Sequence, residues 1–107
     1  MFTRVVEIRT KTGKSRDLTN NINDKVLPIL SKQPGFVDEI TLVSLTEPDR
    51  VLALSFWQSE QDAERYNREQ FHNVTDILSS LMETPPKVQT FNVDTSTTHR
   101  IVKGKAA

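Results

Sequence analysis

The segment from Pro34 to Phe71 constrains this chain more than any other. It reads PGFVDEITLVSLTEPDRVLALSFWQSEQDAERYNREQF. Pro34-Gly35 breaks one element and opens an extended run. Glu47-Pro48-Asp49-Arg50 carries proline where a common tight turn wants it, so the run folds back as a hairpin. The returning strand, 51 to 57, sets Leu52, Leu54 and Phe56 on one face and Val51, Ala53, Ser55 and Trp57 on the other. Two apolar faces imply a central strand covered on both sides. It ends in the only tryptophan, and a polar helix-forming stretch begins at once at Ser59, with acids at 60 and 62. An aromatic side chain at a strand-to-helix handover is a common wall for a pocket.

The flanks complete the pattern. Phe2, Arg4, Val6 and Ile8 alternate with Thr3, Val5, Glu7 and Arg9, which predicts a first strand over about residues 2 to 10. After a turn at 11 to 14, Ser15 is placed to cap a helix whose apolar face carries Leu18, Ile22, Val26, Ile29 and Leu30. Pro28 lacks an N–H and predicts a kink there. The second strand covers about 36 to 46. The second helix carries Ala63, Tyr66, Gln70 and Phe71 on one side and breaks near His72-Asn73. A further helical piece spans about 74 to 83 before Pro85-Pro86 stops it, and a last strand covers about 87 to 94. The order β-α-β-β-α-β is the ferredoxin-like, α+β arrangement. Four antiparallel strands with helices on one face leave the other face bare, and two such sheets stacked face to face would bury both. A homodimer is therefore expected. Residues 1 to 94 read as one domain, and the polar stretch 95 to 107 as a strand extension reaching a partner, followed by a loose tail.

Bulk composition excludes several functions. Fourteen acidic and fourteen basic residues give zero net charge and no basic stripe, so nucleic acid is not an expected partner. The chain has no cysteine, which removes disulfides, thiolate metal sites and cysteine nucleophiles. His72 and His99 stand alone, without a local histidine pair, and no metal is expected. No apolar run approaches membrane-spanning length and the N-terminus lacks a signal-peptide core, so a cytoplasmic protein with no membrane partner is expected.

From residue 2 to about 94 the chain resembles the antibiotic-biosynthesis monooxygenase family of dimeric α+β-barrel proteins. Pro34-Gly35-Phe36, the hairpin, and Ser55-Phe56-Trp57-Gln58-Ser59-Glu60 leading into a polar helix carry the resemblance. It implies a dimeric barrel with a pocket between sheet and helices in each protomer. The family's activities include cofactor-free oxygenation of phenols and quinols, haem degradation and an isomerase reaction, so membership does not name the reaction. The haem-degrading members use an asparagine late in the first strand, a tryptophan on the second helix and an iron-ligating histidine beyond it. Aligned from Trp57, those positions hold Glu7, Tyr66 and about Asp76, which argues against haem.

The resemblance and the residues together nominate six side chains. Trp57 either walls the pocket for a flat aromatic substrate or fills the seam between sheet and helix. Tyr66 either donates a hydrogen bond to a developing phenolate or leaves its hydroxyl in water. Glu7 is a general base if its strand face meets the helices, or a cross-strand partner of Arg4, Arg9 or Arg50 if that face is solvated. His72 is either a proton shuttle or a cap on the helix break. Val5 and Phe71 are expected to line the pocket. The expected activity is a cofactor-independent monooxygenase acting on a small phenolic, quinol or polyaromatic molecule. The alternatives are a non-catalytic dimer that binds a small apolar ligand or serves a regulatory or stress role, or an isomerase.

Overall fold

The computed structural model describes residues 1–101. Its elements are β1 (Phe2–Arg9), α1 (Ser15–Asn21), a π-helical turn (Ile22–Val26), α2 (Leu27–Ser31), β2 (Phe36–Val43), β3 (Arg50–Trp57), α3 (Glu60–Glu69), α4 (Phe71–Leu78), a 3₁₀ turn (Ser79–Leu81) and β4 (Lys87–Asn92). All strand pairs are antiparallel, in the order β2-β3-β1-β4. This is the ferredoxin-like α+β fold. β3 is central, as its two apolar faces require.

Cross-strand register decides which face each side chain joins. Val6 stands opposite Ala53, Ile8 opposite Val51 and Phe2 opposite Trp57. All these residues turn toward the helices, where Leu18, Ile22, Val26 and Leu30 meet them from the first helical segment and Val74 and Leu78 from α4. The other phase of β1, Val5 and Glu7, faces away, beside Leu54 and Leu52. With Ile40, Leu42 and Phe91, which remain 43%, 46% and 50% exposed, these leucines make an apolar sheet face with no helix over it.

Several local features differ from the sequence expectation. The helix from Ser15 widens before Pro28 rather than kinking at it: the Leu27 N–H bonds to the Ile22 carbonyl five residues back. Pro28 has no N–H to offer, and one wider turn lets α2 restart with proline in its first turn. Ser15 makes no side-chain cap, and Lys14 precedes the helix. The break between α3 and α4 falls at Gln70, whose φ and ψ are −127° and −24°, two residues before His72. β2 ends at Val43, because Ser44 turns to accept hydrogen bonds from the backbone of Thr46 and Glu47. The described part of the tail, 95–101, contains no strand, and His99 lies 3.6 Å from the chain's own Asp38. The expected Lys-Gly-Lys-Ala-Ala end lies outside the described residues.

Candidate functional site

The motif around Trp57 is a structural joint. Gly35 has φ +78°, a region that suits glycine, and the Asp62 side chain occupies the space a Cβ there would need. The Gln58 N–H donates to the Gly35 carbonyl at 2.8 Å, tying the start of β2 to the end of β3. Ser59 Oγ caps α3 by accepting from the Asp62 N–H at 3.2 Å and donates to Asp62 Oδ2 at 2.9 Å. Phe36 meets Trp57 edge-on at 5.7 Å. Every part of this joint fixes where α3 starts, and so where Tyr66 lies two turns later.

Trp57 is fully buried, and its Nε1–H donates to Ser55 Oγ at 2.9 Å. Its ring stacks on Tyr66 with centroids 5.0 Å apart, and Tyr66 in turn meets Phe71 at 6.2 Å. The Arg4 guanidinium packs beside these rings, 5.2 Å from the Tyr66 centroid and 4.4 Å from that of Phe71. Beyond them lies a cavity between the inner sheet face, the π turn and α4. Its polar and aromatic wall is Arg4, Glu39, Ser55, Tyr66, Phe71 and Thr75, and the remainder is mostly aliphatic. The cavity is narrow, ≈ 40 Å³, which holds a few waters. Phe71, Thr75, Met82 and Pro86 also border an outer cleft of ≈ 550 Å³ beneath the Thr84-Pro85-Pro86 segment. The two spaces share these four residues as lining.

Burial sets the electrostatics. It pushes the Tyr66 phenol up to about 12, with the nearby Arg4 charge acting the other way and Glu39 adding to the rise. Tyr66 is therefore a neutral hydrogen-bond donor at any physiological pH. Glu39, half-buried on the helix-facing phase of β2, has its carboxyl raised above the usual range by burial. A 2.8 Å hydrogen bond from Thr41 Oγ1 opposes that rise, and the charge of Asp38 adds to it. Arg4 is only 3% exposed, its Nη2 donating to Asn67 Oδ1 at 2.9 Å. Burial lowers its pKa, and Tyr66 offsets part of that.

The structure brings two of the six nominated side chains, Tyr66 and Phe71, into the cavity wall. Trp57 stands behind Tyr66 and does not reach the cavity. Val5 and Glu7 must be corrected in placement: both lie on the opposite sheet face. Glu7 Oε2 accepts from Arg50 Nε at 3.0 Å, and this bond holds its carboxyl below the usual range. His72 projects from α4 with its side chain 82% exposed, 3.1 Å from Asp76 Oδ2. The charged cavity residues that sequence reasoning missed are Arg4 and Glu39. Arg4 shares its strand phase with Phe2, Val6 and Ile8, and a cation in the most apolar phase of a strand was the available signal. Glu39 alternates with Ile40 and Leu42, whose apolar phase belongs to the open face, so the acid is turned inward. Among the described residues no group of three histidine, cysteine or acidic side chains could hold a metal ion, and no helix is long and apolar enough to cross a membrane.

No curated protein matches the chain in sequence. Solved structures do match it in fold. A monooxygenase from Streptomyces coelicolor, ActVA-Orf6 in complex with Nanaomycin D, superposes with a TM-score of 0.77 at 22% identity, over 89% of this chain and 88% of that one. A variant of SnoaB from Streptomyces nogalater, described as a cofactor-independent oxygenase, gives 0.74 at 15% identity, over 92% and 97%. A variant of MhuD with two manganese protoporphyrin IX molecules bound per active site gives 0.75 at 13% identity, over 91% and 98%. The family model described as antibiotic biosynthesis monooxygenase matches residues 1–74, from β1 through the joint at Trp57 to the first turn of α4. The chain belongs to the antibiotic biosynthesis monooxygenase family.

Proposed function

We propose that this chain is a homodimeric, cofactor-independent monooxygenase acting on a small phenolic or quinol substrate in the cavity between sheet and helices. The observation that carries the reading is the convergence of Glu39 and Tyr66 on one apolar cavity: a carboxylate made more basic by burial, and a phenol kept protonated by it. In this reading Glu39 takes the role expected of Glu7. It removes the hydroxyl proton of the phenol, and Tyr66 donates a hydrogen bond to the phenolate oxygen where negative charge collects. The substrate anion supplies electrons to dioxygen and a carbon–oxygen bond forms. The resulting hydroperoxide loses water as its O–O bond breaks and the proton leaves the same carbon, so a former ring C–H carbon becomes a carbonyl and the substrate provides all four electrons. Phe71 and the aliphatic wall exclude water, and Trp57 holds Tyr66 from behind. The relatives described as oxygenases support this reading at the level of fold.

Haem fits the cavity poorly. No histidine lines it, and His72 points to solvent and Asp76. The narrowness of the cavity favours a second reading, a dimer that binds a one-ring ligand without turnover. In the dimer the open sheet faces meet, and the expected reach of the tail onto a partner belongs to the same assembly.

Oxygen uptake by the purified protein, over a panel of anthrones, naphthols and hydroquinones, separates the two. The oxygenase reading expects uptake above buffer that falls by about 100-fold in Glu39→Gln, the range for loss of a general base. Uptake that survives Glu39→Gln removes the assigned base. No uptake from any compound favours the binding reading.

A further inference from the structure

The mechanism above leaves the most unusual group in the cavity unused. Arg4 is buried on β1, and its guanidinium borders the cavity beside Phe71 and Tyr66. Its hydrogen bond to Asn67 is to a neutral amide. Among the described residues, none of the ion pairs within 4.0 Å involves Arg4. A cation taken out of water without a carboxylate is costly, and such a charge is normally paired. Aromatic faces compensate in part. A guanidinium has five N–H donors in a planar fork suited to a carboxylate; the Asn67 amide takes one and the neutral Tyr66 hydroxyl another, and neither is an anion. Glu39, in the same cavity, does not form that pair; its carboxylate is engaged by Thr41.

We propose that Arg4 determines substrate class, by pairing with the oxyanion of an aromatic acid whose ring lies along Phe71 and whose hydroxyl faces Glu39. The expected ligand is a hydroxyaromatic carboxylate rather than a neutral phenol. This rests on the cavity identified above as the substrate site, but it needs no turnover. Charge-assisted pairing to a guanidinium favours the anion by about 10- to 100-fold over a neutral analogue of the same ring.

Salicylate and phenol are the probes, each one ring in size. Titration of ¹⁵N-labelled protein, followed by backbone amide signals and the Arg4 Nε–Hε signal, is expected to show salicylate binding about 10-fold or more tightly than phenol. The signals of Arg4 and Phe71 should move with it. In Arg4→Met, checked for fold by circular dichroism, the salicylate preference should vanish, and Arg4→Lys should retain part of it. Equal affinities, salicylate shifts located away from Arg4, or no binding of either at millimolar concentration each overturns the proposal. So does an Arg4→Met chain that keeps the preference, or one that cannot fold, since the guanidinium would then support the structure itself. Anion preference without oxygen uptake would leave this assignment standing and remove the oxygenase. Uptake without anion preference would do the reverse.

Discussion

At the scale of single residues, burial gives two acids in one cavity opposite duties. Glu39 is raised above the usual carboxylate range and Tyr66 is pushed up to about 12. In the proposed oxygenase the working base is ionised Glu39, so turnover should rise with pH through the raised Glu39 value. No second inflection from Tyr66 should appear below about pH 10, and an oxygen-uptake profile checks both. Tyr66→Phe keeps the ring that stacks on Trp57 and removes the hydroxyl, so a loss of roughly 10- to 100-fold in turnover is expected, with about 1 kcal/mol of stability lost with its contact to Arg4. The raised carboxyl also couples to stability. The folded chain holds the Glu39 proton more tightly than the unfolded chain does. Its contribution is therefore full below the ordinary carboxylate value and is lost as pH rises through the folded one. Glu39→Gln should flatten that part of the stability-versus-pH curve, and urea midpoints across the acidic range test the sign. The identity of these residues was less legible than their types. β1 carries charge in both phases, Arg4 in one and Glu7 and Arg9 in the other, and alternation alone does not say which phase is inside. Bulk decides: Phe2, Val6 and Ile8 outweigh Thr3 and Val5, and Arg4 is buried with them.

At the scale of elements, the short motif that marks the family works as a hinge-free joint between sheet and helix. Gly35→Ala would place a methyl in left-handed backbone and against Asp62, displacing the partner of the Ser59 cap. A cost of about 2–4 kcal/mol is expected, combining backbone strain with loss of the cap. Ser59→Ala alone should cost about 1 kcal/mol. Chemical denaturation of both variants checks the ranking, and a Gly35→Ala chain as stable as the parent would refute the steric account. These pieces were readable because each is local: Pro-Gly, a Pro-containing turn, a capping serine. The helix break was readable to within two residues, whereas the π turn and the exact placing of the break at Gln70 were not, because they depend on contacts far along the chain. Proline marks the damage at 28, but the extra residue is absorbed upstream, where Ile22 and Val26 must both stay in the core. At Gln70 the two helices part so that Tyr66 and Phe71 can both face Arg4.

At the scale of the whole molecule, the open sheet face is the feature a lone chain cannot satisfy. Leu52, Leu54, Phe56, Ile40, Leu42 and Phe91 share it, and the last three are 40–50% exposed in round terms, at 43%, 46% and 50%. Monomeric proteins rarely leave a continuous apolar surface of this kind, and antiparallel sheets commonly cover such a face by packing about 10 Å from another sheet. In the proposed homodimer two-fold symmetry would make the face its own partner, so any substitution there would act twice. Fully burying a leucine side chain contributes about 1.5–3 kcal/mol, and Leu42 has about half of its surface left to bury, so Leu42→Lys, acting twice, should weaken the dimer by about 10- to 10²-fold or more. Analytical ultracentrifugation should show a dimer for the parent chain at micromolar concentration and a monomer for Leu42→Lys. The thermal midpoint of the parent should rise with concentration, and that of the variant should not. A parent chain that sediments as a monomer would sink the assembly. The cavity lies on the opposite side of the same sheet, closed by helices of its own chain. If a monomeric Leu42→Lys keeps salicylate binding, the dimer secures the sheet rather than completing the site; if binding is lost with the dimer, the inner face of the sheet holds its shape only when the outer face is covered.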